Sequence, residues 1–120
     1  MDEIEESKPL SGLPTRKARV IGGREIDFDG EGFFRNADDW SAEIAEMLAR
    51  ESGLADLVET HWRVIRFMRD YYANYGRAPM NRHLKEGIGM SLMEIEGLFP
   101  GGIRAGARRL AGLPNPKACM

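Results

Sequence analysis

Polar and apolar positions along this chain change their period twice. Residues 1–17 are polar, broken by Pro9, Gly12 and Pro14, and predict a flexible leader. The stretch ARVIGGREIDFD then sets two short runs on either side of Gly22-Gly23, a pair able to take the positive φ of a two-residue hairpin. Val20, Ile26 and Phe28 supply its apolar positions, with Arg24, Glu25 and Asp27 as polar neighbours. Asp29-Gly30-Glu31-Gly32 reads as a second turn, leading into Phe33-Phe34.

From there the spacing becomes three and four. In NADDWSAEIAEMLARESG, Asn36 or Asp38 is placed to cap a helix and Gly53 to close it, with Trp40, Ile44, Met47 and Leu48 on one face. The strongest periodicity runs from about Val58 to Tyr75, where Trp62, Ile65, Met68 and Tyr72 repeat and Val64, Phe67 and Tyr71 widen the stripe; Gly76 ends it. Pro79 opens a short helix through about Glu86, with Gly87 and Gly89 as breakers. Ser91 and Glu94 have capping-box spacing and start another. Pro100-Gly101-Gly102 stops it, and a last helix runs from Ile103 to about Ala111, terminated by Gly112. The expected fold is α+β and mostly helical: a small N-terminal β-hairpin, about five helices with a helix-turn-helix-like C-terminal part, and an extended C-terminal arm. The expected divisions are a leader at 1–17, a single domain at 18–112 and a mobile arm at 113–120.

Composition narrows the class. The 120 residues are 42% hydrophobic and 30% charged, with net charge −2, an ordinary balance that does not mark a general polyanion binder. No run approaches the ~20 apolar residues of a membrane span, so no membrane partner is expected. The acidic start, MDEIEESKPL, is unlike a signal peptide, and the lone cysteine cannot form an internal disulfide; both point to a cytoplasmic protein.

That cysteine, Cys119, is the penultimate residue. The last twenty residues hold Arg104, Arg108, Arg109 and Lys117 and no acidic side chain, and nearby cations favour a thiolate over the ~8.5 pKa of a free thiol. Pro114 and Pro116 favour an extended, partly stiff tail. A reactive thiol at the tip of such an arm could enter another protein's active site; the plainer alternative is an incidental thiol on a frayed terminus. His61 and His83, some twenty residues apart without a thiol or carboxylate motif, suit packing or surface roles better than a metal site. No metal or cofactor motif is present, and the aromatic stripe of the long helix reads as core. The segment SLMEIEGLFPGGIRAGARRLAG has the outline of a helix-turn-helix whose second helix carries Arg104, Arg108 and Arg109, so a DNA-binding regulator is the alternative function.

The stretches GREIDFDGEGFFRNADDWS, HWRVIRFMRDYYANYGRAP and GLFPGG, with the terminal RLAGLPNPKACM, resemble the DsrC/TusE family of sulfur-relay proteins over roughly Val20 to Met120. The most specific part is the ending, with two spaced prolines and then the penultimate cysteine. The resemblance implies that Cys119 accepts sulfane sulfur as a persulfide and delivers it to a partner, with no stand-alone enzymatic activity and no cofactor. It implies as donor a TusBCD- or DsrEFH-type protein or a TusA-like carrier. The implied acceptor is a tRNA thiouridylase or a sulfur-metabolism reductase complex. Dissimilatory members carry a second cysteine eleven residues upstream of the penultimate one. Here that position is Arg108, so the single-cysteine pattern is closer to TusE and its 2-thiouridine pathway. The segment between NRHLKEGI and GLFP is shorter than in the family pattern, and residues 1–17 are additional.

Overall fold

The computed structural model describes residues 16–115. It follows the expected order: a two-stranded antiparallel hairpin and then helices. Strand β1 (Arg16–Ile21) pairs with β2 (Arg24–Asp29), with Ile21 opposite Arg24 across the turn. Gly22 and Gly23 have φ of 60° and 81°, the left-handed pair that a two-residue turn between twisted strands requires. That register corrects one expectation. Directly opposed residues share a face, so Ile21 lies with Ile26 and Phe28, and all three are buried. Val20 falls on the other face and is 73% exposed. Phe34 forms an isolated bridge back to Phe28, their rings 5.0 Å apart edge to face.

A single 3-10 turn, Ala37–Asp39, is capped by Asn36, whose side chain accepts from the Asp38 N–H. The following helix α1 (Ala42–Glu51) is capped instead by Ser41, whose Oγ accepts from Ile44 N. Asn36 is thus a cap, though of the turn rather than the helix, and Trp40 precedes α1 rather than belonging to its face. Ile44, Ala45, Leu48 and Ala49 form the buried side of α1. Helix α2 (Glu59–Tyr75) buries Val64, Ile65 and Met68 and ends at Gly76 with φ 73°. Helix α3 (Asn81–Ile88) runs two residues beyond expectation and contains Gly87. A side chain there would run into the Phe67 ring, so Gly87 is a packing glycine and the stop is Gly89. Helix α4 (Leu92–Leu98) has the reciprocal capping box of Ser91 and Glu94.

The last helix, α5 (Gly102–Arg108), is wound with π geometry before a final α turn. Its start is fastened to α4 by Glu96, whose carboxylate accepts the Ile103 N–H at 3.2 Å. One core joins the hairpin face, Phe34 and all five helices, and includes Leu110, Ala111 and Leu113 from the C-terminal end. No helix among the described residues is long and apolar enough to cross a membrane.

Candidate functional site at the root of the C-terminal segment

Cys119 and Lys117 lie outside the described residues, as do 1–15. What the structure places is the base from which the cysteine-bearing segment departs. Gly112, with φ 76°, ends the last helix in a Schellman arrangement: its N–H donates to Arg109 O at 3.0 Å and the Leu113 N–H to Arg108 O at 3.2 Å. Leu113, the apolar residue this motif favours, is fully buried. The two carbonyls before the stop are also satisfied. Trp40 Nε1–H donates to Leu110 O at 2.7 Å and Arg69 Nη1–H to Ala111 O at 2.8 Å. Arg69 lies 4.1 Å over the Trp40 ring and donates through Nη2 to Ala37 O. Burial lowers the pKa of this guanidinium, an effect opposed by Asp38 and Asp70.

Three residues further on, Asn115 is 7% exposed and bonded on both ends of its amide. Its Nδ2 donates to Asp29 Oδ2 at 3.0 Å, and its Oδ1 accepts from Arg104 Nη2 at 3.2 Å. The other Asp29 oxygen accepts the N–H groups of Glu31 and Phe33, which shapes the loop after β2. Arg104 also pairs with Glu31 at 3.0 Å and lies 5.2 Å over the Phe33 ring. Residues 113–115, expected to begin the arm, are therefore in contact with the packed fold through Leu113 and Asn115.

The three arginines of α5 diverge. Arg104 goes to Glu31 and Asn115, and Arg108 donates to Pro79 O at 3.5 Å in the α2–α3 loop. Arg109 donates to Ser52 Oγ at 2.6 Å and Ala105 O at 3.1 Å. Burial lowers the Arg109 pKa, with Glu51 opposing and Arg19 adding to the shift. A DNA-recognition helix needs such side chains aimed together at base edges and phosphates. Here each makes contacts within the chain, so the helix-turn-helix outline lacks that common face.

The histidines have structural places. His61 Nδ1 accepts the Val58 N–H at 3.1 Å, which leaves Nε2 to donate to Leu98 O at 3.0 Å; its ring packs edge-on against Phe99. His83 Nδ1 accepts the Met80 N–H at 3.0 Å. Asp29, Asn115, Trp40 and Arg69 were not visible as site residues in the sequence. Their partners are up to 86 positions away, and only the Schellman glycine hinted that the segment after it is anchored.

The family model described as DsrC like protein matches residues 20–120. The gamma subunit of dissimilatory-type sulfite reductase from Nitratidesulfovibrio vulgaris is 39% identical over 98 residues, covering 82% of this chain and 93% of that protein. The sulfurtransferase TusE of Photorhabdus laumondii is 37% identical over 108 residues, covering 84% and 96%. Among solved structures, the oxidised gamma subunit of dissimilatory sulfite reductase (DsrC) from Archaeoglobus fulgidus superposes with a TM-score of 0.76 at 36% identity. That match covers 87% of this chain and all of that one. The crystal structure of dissimilatory sulfite reductase I (DsrI) gives a TM-score of 0.79, also at 36% identity, over 87% of this chain and all of that one. With this hairpin-and-helix fold, this ending and these matches, the chain belongs to the DsrC-like family.

Proposed function

We propose that this protein is a sulfur carrier that takes sulfane sulfur onto Cys119 as a persulfide and passes it to a partner. The observation that carries this is the position of the chain's one thiol: four residues beyond Asn115, where the described packing ends, in a family whose relatives include a named sulfurtransferase. In the loading step the Cys119 thiolate attacks the outer sulfur of a donor persulfide, R–S–SH. A new S–S bond forms, the donor S–S bond breaks, and the donor leaves as a thiolate while Cys119 becomes Cys–S–SH. Exchange of this kind depends on thiolate fraction and on access. Lys117, next but one to Cys119, is the cation nearest in sequence to support the thiolate. Arg104, Arg108 and Arg109 act less directly, by holding the base of the segment and the loops around it.

Arg108 occupies the place where dissimilatory members resembling this chain carry their second cysteine. With one thiol, sulfur leaves only by intermolecular exchange, which fits a relay of the TusE type. Donor and acceptor are then separate proteins in a reducing, cytoplasmic setting. The test is intact mass after incubation with a low-molecular-weight persulfide donor. The native chain gains one sulfur atom that a reductant removes, and Cys119→Ser gains none. Absence of that gain with several donors would overturn the proposal.

A further inference from the structure

The aromatic stripe of α2 is not all core. Val64, Ile65 and Met68 are buried, but Phe67, Tyr71 and Tyr75, spaced by four, line the flank that faces α3. With His83, Asp70 and Glu86 they bound an open cleft of about 380 Å³. Tyr71 is the centre of the wall: its ring lies 4.5 Å from that of Tyr75, 5.0 Å from His83 and 6.2 Å from Phe67. Gly87 lets the Phe67 ring lie directly against α3 and so forms the floor.

The chemistry of this lining is one-sided. No lysine or arginine lines the cleft, and its fixed charges are the two carboxylates. Neither Asp70 nor Glu86 has a hydrogen bond or salt bridge among the described residues, although Asp70 acts at longer range on the Arg69 charge. Four rings and two carboxylates without a hydrogen bond call for a cation able to stack. A planar guanidinium meets both demands, stacking on ring faces while its N–H groups reach carboxylates; a compact ammonium meets them less well. Tyr75 is 63% exposed, and the acids stand at the rim. A small free ligand would stay largely in water, unlike the ligands of enclosed pockets. A side chain projecting from another protein's surface would have its backbone carried by that surface.

We propose that the α2–α3 cleft receives an arginine side chain of a partner protein. The cleft is connected to the base of the cysteine-bearing segment, since the α2–α3 loop is the one that Arg108 contacts through Pro79 O.

The test is an NMR titration of the isotope-labelled full chain at low salt with acetyl-Gly-Arg-Gly-amide, beside its lysine and citrulline counterparts and spermidine. The arginine peptide should give saturable shifts, in the millimolar range for a single side chain, confined to α3 and the C-terminal half of α2. The lysine peptide should bind more weakly and the citrulline peptide not at all. Asp70→Asn with Glu86→Gln, both at exposed positions, should weaken the arginine peptide about fivefold or more. Shifts that fail to saturate, that persist with citrulline, or that survive the double variant unchanged would overturn the proposal. So would spermidine binding more tightly than the arginine peptide, or self-association of the protein that the double variant abolishes. Sulfur loading of Cys119 from a small donor should be the same in the double variant and the native chain, so this proposal and the carrier proposal can fail separately.

Discussion

At Asp29 one carboxylate shapes the loop after the hairpin and holds the C-terminal segment. One oxygen accepts two loop N–H groups and the other accepts from Asn115. The sequence marks Asp29 as a turn residue, which it is, but its second contact spans 86 positions and leaves no local pattern. His61 is similar. As the third residue of α2 it accepts the N-cap N–H, which spacing can suggest, whereas its bond to Leu98 O depends on how α4 comes to lie nearby. Replacing His61 with Leu keeps the volume apolar but leaves two backbone groups without that partner. The expected loss is about 1–3 kcal/mol, read from denaturant unfolding with an unchanged m-value.

At the scale of elements, periodicity and capping chemistry located the helices well, and the misses share a cause. Gly87 looked like a stop because glycine is a poor helix former, yet it is kept inside α3 by the ring it must admit. Trp40 looked like a helix-face residue, yet its indole N–H closes the carbonyl end of the last helix. In both, tertiary contact overrides local preference. Gly112 is the opposite case, legible beforehand and doubly constrained. It has φ 76°, and a Cβ there would stand 2.7 Å from Trp40 Cβ. Gly112→Ala should cost about 2–4 kcal/mol, combining left-handed strain with overpacking, and lower the melting temperature accordingly. An outcome near zero would mean that Trp40 can move and that the base of the segment is not fixed as described.

For the whole molecule, the presence of the hairpin and the order of the helices were readable from the chain alone. The burial of the helix end that precedes the cysteine was not. Among the described residues the core extends to Leu113 and the polar fastening to Asn115. With the described core and fastening kept, deleting residues 116–120 should leave stability within about 1 kcal/mol of the full chain while abolishing sulfur uptake. Asn115→Ala should give the complementary result. It should lose about 1 kcal/mol for the broken amide contacts but still gain one sulfur atom by intact mass.

The bond from Asn115 to Asp29 also sets a radius. Cys119 is four residues beyond Asn115, and at no more than about 3.6 Å each its backbone stays within about 14 Å of the Asn115 backbone that this bond holds. That is less than half the 53 Å length of the molecule. Under the proposed carrier function, a donor and an acceptor would both have to reach this one territory. On that proposal the two partners would compete for one site, so a donor analogue that stays bound should block delivery to the acceptor.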